Sequence, residues 1–311
     1  MSHKISLSQS NIKEMASYFQ FGECGFYSLM RMMGVEGKTS DAMNLGCYFE
    51  FLLTGARPKN GRIPKPVRLK PAKGEDLGAL NSDYQFAKDS VEEWNKYMKQ
   101  IYGFEFDIDQ NGKPRTGLRV VIDNWKGTGR SAEGTYDSIM VATKDVYSYN
   151  AEPNKAPVQL SEPIIKAGEK VIVDTKFSGL VGDIKDPLGW HPLSLSEKVL
   201  ITTQAIHYKY MYREVYGEDI HFMFTVMSAK KNKPPYFFYI HVSEEMMEKH
   251  EQTMNMTHQL LHRHFEAGTP QPRPSMEKCM DCPYKEYTIN GEKKQCEFAV
   301  EHPFIYQIDL I

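Results

Sequence analysis

The chain has 311 residues, of which 41% are hydrophobic and 25% charged, enough apolar material for a substantial core in one large domain with insertions. Its formal net charge is -2, so the average field does not attract phosphate and any nucleic-acid contact must come from a local basic surface. The first residues, MSHKISLSQSNIKEMASYF, carry no apolar signal region, and no run approaches the roughly 18 apolar residues of a membrane span. A soluble, cytoplasmic chain with no membrane partner is the expectation.

In chain order, residues 8 to 33 read as helical, and Ala42 to Leu53 as a second helix that carries Glu50 in an apolar run. The stretch from Gly55 to Lys73 intersperses Arg57, Lys59, Arg62, Lys65, Arg68, Lys70 and Lys73 with prolines, which predicts an extended basic segment, either a solvated loop or a phosphate-contacting one. Asp89 to Tyr102 reads as an exposed helix. Arg119 to Ile122, Tyr136 to Ala142, Val146 to Tyr149 and Lys170 to Phe177 then read as strands of an antiparallel meander, with Asn111-Gly112 a turn. Helical spacing returns at Ser196 to Tyr216, followed by strands at His221 to Met227 and Tyr236 to Val242 and a helix from Ser243 to Phe265. From Gly268 the chain is Pro-rich and then Cys-rich, and no repeat or linker divides it.

The chemistry concentrates in Lys170-Val-Ile-Val-Asp-Thr-Lys-Phe-Ser-Gly179, where Asp174 and Lys176 lie two apart at the end of an apolar strand and so share a face. A carboxylate there can hold a divalent metal, while the neighbouring ammonium orients or deprotonates a water and stabilises charge developing on a phosphate. Asp137 opens a neighbouring strand that can bring it beside Asp174. Two carboxylates converging on one site repel unless a cation lies between them, and Mg2+ suits oxygen ligands together with a substrate phosphate.

The order Gly134-x-x-Asp137, an apolar strand ending Asp174-x-Lys176-x-x-Gly179, and then Gln204-Ala-Ile-His-Tyr208 resembles the RecB-type branch of the PD-(D/E)xK nuclease superfamily, with Gly46-Cys-Tyr-Phe-Glu50 matching its first motif. The resemblance runs from about Ser8 to Cys296, with no match near 55 to 130 or 178 to 195. It implies an α/β fold with a restriction-endonuclease-like core, a central mixed sheet flanked by helices and decorated by insertions at about 55 to 130. It also implies that Glu50, Asp137, Asp174 and the carbonyl of Thr175 ligate Mg2+ or Mn2+. Lys176 would position or activate the attacking water, and Gln204 and Tyr208, one helical turn apart, would contact DNA or buttress the site. The implied activity is that of a DNA exonuclease of recombination, repair or phage DNA processing. Its implied partners are single-stranded DNA or duplex ends and a helicase or recombination protein. Two alternatives stay open: a non-catalytic DNA-binding or assembly protein on the same fold, and a zinc-stapled RNA-processing nuclease.

Five cysteines is an odd number, and Cys279-Met-Asp-Cys282-Pro points to metal or redox chemistry before structural disulfides. Four thiolates complete a Zn2+ site or hold a [4Fe-4S] cluster, and spacing alone does not choose between these and free thiols. Cys24 together with Cys279, Cys282 and Cys296 resembles the iron-sulfur nucleases of the same branch, the CRISPR-associated and AddB-type enzymes, which implies a C-terminal segment (268 to 311) stapled to the N-terminal region. The interval from Cys282 to Cys296 is longer than in those relatives, with Asn290-Gly291 inserted as a turn. Cys47 reads as a small core hydrophobe. His258, His262 and His264 lack the glutamate of His-Glu-x-x-His and read as solvated helix residues.

Overall fold

A computed structural model describes residues 5–20, 23–35, 40–55, 63–150, 158–178, 195–229, 235–266, 279, 282–289 and 292–297. In chain order these form β1 (Leu7–Ser8), α1 (Gln9–Gln20), α2 (Gly25–Met32), α3 (Asp41–Thr54), α4 (Ser82–Lys96), β2 (Phe104–Phe106), β3 (Thr116–Ile122), β4 (Ala132–Ala142), β5 (Tyr149–Asn150), β6 (Val158–Gln159), β7 (Lys170–Ser178), α5 (Leu195–Tyr216), β8 (His221–Ser228), β9 (Tyr236–Tyr239), α6 (Glu244–Leu261), β10 (Glu286–Ile289) and β11 (Glu292–Gln295). The first half of the basic segment, with Arg57, Lys59 and Arg62, and most of the tail from Gly268 lie outside the described residues.

Two compact units emerge: a larger one, Ser40–Val121 with Gly134–Glu248, and a smaller one, Met1–Thr39 with Ile122–Glu133 and Lys249–Ile311. In the larger unit α3 begins where Ser40 accepts a hydrogen bond from the Met43 amide at 3.2 Å, and it stops at Gly55, whose φ of 72° is the left-handed conformation that glycine adopts at least cost. Asn81 caps α4 in the same way, accepting from the Tyr84 amide at 3.0 Å. This helix starts well before the predicted Asp89 and is not simply exposed, because its buried stripe, Tyr84, Ala87, Ser90 and Trp94, reaches back to its first turn. Tyr97–Tyr102 then continues as a π-helical turn.

Strands β4, β7, β8 and β9 follow one another across the sheet, and β2 and β3 also pair with β4. β4 and β7 are antiparallel, β7 and β8 parallel, and β8 and β9 antiparallel, so the sheet is mixed, as expected for the α/β fold. The parallel pair requires a long crossover, which α5 supplies. Of the expected meander, β3 pairs with β4 and β4 runs antiparallel to β7, but the strand expected at Val146 to Tyr149 is not part of this sheet. Val146 merely bridges Ile165, and Tyr149–Asn150 pairs with Val158–Gln159 in a separate ribbon. Alternation along β7 sends Val171 and Val173 into a core with Phe49 of α3, Trp94 of α4 and Met223 and Met227 of β8. Asp174 and Lys176 therefore project on the opposite side from Thr175.

In the smaller unit the predicted helix over residues 8 to 33 divides into α1 and α2, with Cys24 extended (φ -68°, ψ 124°) at the start of the second. Glu14 of α1 is buried, accepting a hydrogen bond from Ser28 at 2.8 Å and pairing with Arg31 at 3.3 Å. Arg130 is also buried; its guanidinium donates to the Ile5 carbonyl, to His258 Nδ1 and to Glu266. A buried cation is tolerable when its donors are matched in this way. β1 pairs in parallel with the first residues of β4, Leu7 opposite Ala132.

Replacing Asn81 with alanine removes the α4 cap while leaving its backbone pairing to Val67 intact. The expected loss is about 1 kcal/mol, a melting temperature lower by roughly 2 °C, measured by thermal denaturation; Asn81→Ser retains a capping oxygen and is expected to melt close to the wild type.

Candidate active site

The end of β7 gathers the charged residues of the larger unit. Asp174 is 1% exposed and forms an ion pair with Lys176 from the same strand. The register of β4 on β7 pairs Ser138 with Val173, and one more step brings Asp137 opposite Asp174. Asp137 is buried too, and its Oδ2 accepts the Thr175 amide at 2.8 Å. Glu50 reaches the same centre from α3. Burial pushes its carboxyl up, Lys176 pulls it down, and Asp174 pushes it up again.

Asp137 feels the crowding most. Burial first, then Asp174 and Glu50, raise its carboxyl well above the usual range, against the opposing pull of Lys176 and the Thr175 amide. Burial alone pushes the Lys176 ammonium down, yet Asp174, Asp137 and Glu50 outweigh it and hold the group above lysine's ordinary range. In this arrangement Lys176 is a fixed cation. With every group ionised, three carboxylates and one ammonium leave a local charge of -2, from -3 and +1.

Helix α5 supplies the remaining partners. The Gln204 side chain donates to Asp174 Oδ2. Tyr208 is one turn on, on the same face; burial and then Asp174 and Asp137 push its phenol well above its usual range, and it hydrogen-bonds with Gln204. Its neutral hydroxyl lies where the carboxylates concentrate. The two residues are thus in the site and not merely in the helix core.

A further set of residues carries no motif. Thr175 points to the other side of the sheet, where Thr225, its register partner on β8, donates to its Oγ1 at 3.0 Å, and the buried Trp94 indole donates to Thr225 at 3.0 Å. This chain, Trp94 to Thr225 to Thr175, braces the peptide between Asp174 and Lys176 from behind. Thr225 stands as a lone hydroxyl in the apolar run Phe222–Met227, which is the only trace that the sequence offers.

Among the described residues, no group of three or more His, Cys, Asp or Glu side chains is placed to hold a metal ion by itself. The donor chemistry of the β7 site nevertheless fits a hard divalent cation. Asp137 and Asp174 are buried, the Asp174 Oδ1 atom meets only the Lys176 ammonium, Glu50 crowds a third carboxyl against them, and Mg2+ keeps several waters and so needs only one or two protein carboxylates.

The four tail-and-N-terminus cysteines lie in the smaller unit, all reduced and half-buried, as is Cys47 of α3. The Cys282 amide donates to the Cys279 carbonyl at 3.4 Å, and the Lys285 amide to the Cys282 carbonyl at 3.1 Å. β10 and β11 form a hairpin that returns Cys296 to donate its amide to Lys285 at 2.9 Å. Most of the longer interval is therefore taken up by two strands paired with each other. Burial first, then Cys279 and Cys24, push the Cys282 thiol up. Cys279 and Cys24 thus lie near enough to Cys282 to act on its thiol, and among the described residues no three cysteines are placed as a ligand set. The helix histidines have other partners: His258 accepts from Arg130, His262 faces Glu266 at 3.4 Å, and His264 meets the Phe19 ring edge-on. Cys47 is half-buried, outside the core, with its thiol pushed up by burial and then by Glu50.

No family model and no curated protein matches this chain. A crystal structure of a "Putative exonuclease" from Eubacterium rectale is similar in fold, with a TM-score of 0.54 and 16% identity, covering 92% of this chain and 90% of that one. A second crystal structure, of SSO0001, covers 92% of this chain and 86% of that one at 9% identity, with a TM-score of 0.34 that carries no argument. The first likeness supports the α/β fold; the site rests on its own geometry. No helix among the described residues is long and apolar enough to cross a membrane.

Two substitutions test the electrostatic picture. Without metal, Asp137→Asn keeps an acceptor for the Thr175 amide and removes one of the crowded charges, so a rise of a few degrees in melting temperature is expected, equivalent to about 1 kcal/mol or more; a lower melting temperature in EDTA would contradict the repulsion. Thr225→Val is nearly isosteric but strands the buried Trp94 N–H. A loss of about 1–3 kcal/mol is expected in chemical denaturation, whereas Thr225→Ser should lose less.

Proposed function

We propose that this chain is a metal-dependent deoxyribonuclease of the PD-(D/E)xK type, an exonuclease acting on single strands or duplex ends in recombination, repair or phage DNA processing. The observation that carries the reading is the convergence of Asp137, Asp174 and Glu50 on one fixed cation, Lys176, at the end of a single strand. An ion pair made for stability alone needs one carboxylate. Two buried carboxylates and a third, half-buried one around one ammonium are costly unless they hold something positive.

In this reading Asp137, Asp174, Glu50 and the Thr175 carbonyl would hold Mg2+ or Mn2+. When bound, that ion polarises the phosphate and lowers the pKa of its water. Lys176, protonated in the carboxylate cluster, directs its N–H groups at the attacking water and the phosphate oxygens and stabilises the charge that develops there. Gln204 holds Asp174 in position, and Tyr208 is a neutral donor beside it. The Thr175 side chain, pinned by Thr225, fixes the peptide plane whose amide already engages Asp137.

Cys24, Cys279, Cys282 and Cys296 would hold a [4Fe-4S] cluster, or Zn2+ in its place, as a staple of the smaller unit. Its loss is expected to cost stability before intrinsic chemistry. Anaerobically purified protein distinguishes the two, because a cluster is brown and zinc is colourless. Cys282→Ser is expected to lose the bound metal and several degrees of melting temperature; a variant with unchanged stability would remove the structural role.

The decisive assay follows end-labelled single- and double-stranded DNA incubated with Mn2+ and either wild-type protein or Lys176→Ala. The wild type is expected to degrade DNA, and the variant to fall by about 10²–10³-fold, the usual cost of losing a donor at a developing charge. Equal cleavage by both overturns the site assignment. Binding by both without cleavage establishes a DNA-binding protein on this fold.

A further inference from the structure

The sheet face that carries Asp174 and Lys176 continues across two more strands. In the parallel register Asp174 lies opposite Phe224 and Lys176 opposite Val226. In the antiparallel register beyond it, Phe224 lies opposite Phe238 and Val226 opposite Tyr236. Residues paired in register project to the same side of a sheet, so Phe238 shares a row with Asp174 and Tyr236 shares one with Lys176. Two inter-strand spacings, about 10 Å, separate the catalytic pair from these rings.

Tyr236 and Phe238 are not ordinary core aromatics. They alternate with Phe237 and Tyr239, which pack on the main hydrophobic cluster on the other face. Their own rings are nearly parallel, with an interplanar angle of 6° and centroids 6.3 Å apart, and both are half-buried. β9 ends the path of paired strands among the described residues, so the two rings stand at the margin of the sheet. Between them and the site, the Lys176 ammonium lies 5.9 Å from the Phe224 ring, which links the cation to the aromatic row.

We propose that Tyr236 and Phe238 form a base-stacking platform for the single-stranded nucleic acid whose phosphate is held at Asp174 and Lys176. This rests on the nuclease reading and adds to it the mode of substrate recognition. Rings of one orientation at the margin of a sheet receive bases through their π faces, and every base has such a face, so the contact is indifferent to sequence. The charge at the site comes from groups that contact phosphate and metal, and the platform supplies the apolar half of the grip. A single strand offers its bases to such a surface, and a stacked duplex offers them only at a frayed end. The platform therefore favours single strands over intact duplex.

The test is fluorescence anisotropy in EDTA, where cleavage is suppressed, with a labelled single-stranded oligonucleotide and an abasic deoxyribose-phosphate strand of equal length. Three variants accompany the wild type: Tyr236→Leu, which keeps apolar bulk without a π face, Tyr236→Trp, and Lys176→Ala. Tyr236→Leu is expected to bind the normal strand about ten-fold more weakly, within the range for one lost base stack. It should bind the abasic strand as the wild type does, and Tyr236→Trp should restore the normal affinity. Unchanged binding by Tyr236→Leu, or an equal loss on both strands, overturns the platform, the second outcome marking a structural role. Wild-type protein that binds neither strand overturns the nuclease reading and the platform with it. Wild-type binding that depends on Lys176 but not on Tyr236 overturns the platform alone.

Discussion

Everything in the larger unit is organised around one electrostatic constraint: Asp174 is buried at the end of an apolar strand, and Lys176 from the same strand is its counter-charge. A carboxylate in such surroundings is tolerated only when paired and hydrogen-bonded. Lys176 pairs it, and Gln204 supplies the hydrogen bond. Asp137 and Glu50 then crowd further carboxyls against the pair, and in the proposed reading a divalent cation would relieve that crowding.

The sheet converts this local constraint into an architecture. Side chains on a strand alternate, so β7 is able to carry both a core face and a charged one. Val171 and Val173 bury against α3 and α4, Asp174 and Lys176 face the other way, and Thr175 returns to the core side, where Thr225 and Trp94 hold it. Packing and chemistry are thus divided between two faces of one short segment. The parallel β7–β8 pairing is what places Thr225 beside Thr175, and the long α5 crossover that makes this pairing feasible also delivers Gln204 and Tyr208. In the smaller unit the paired strands β10 and β11 take up most of the interval between Cys282 and Cys296 and return the Cys296 amide to the Lys285 carbonyl.

What was legible in the amino-acid order was whatever depends on near neighbours in the chain. The Asp-x-Lys spacing fixed a shared strand face because the side-chain period of a strand is two, and Gln204 and Tyr208 fixed a shared helix face because they lie one turn apart. The helix read over Ala42 to Leu53 falls within one residue of α3 at each end, while the start of α4 was missed because its Asn81 cap precedes a turn whose apolar stripe is thin. The helix predicted over 8 to 33 overlooked the extended residue Cys24, where backbone geometry outweighs a mild hydrophobic rhythm.

The tertiary structure decided what requires distant segments to meet. That β7 pairs in parallel with β8, that Asp137 sits opposite Asp174, that Trp94 reaches Thr225, and that Tyr236 and Phe238 share the face of Asp174 and Lys176 are all consequences of strand register, which is set by long-range burial and carries no local signature. The electrostatic character of the site belongs to the same class. Sequence alone determined which residues carry charge and at what spacing; only folding determined that three carboxylates share one cation in a buried place, because desolvation and proximity exist only once the strands are packed.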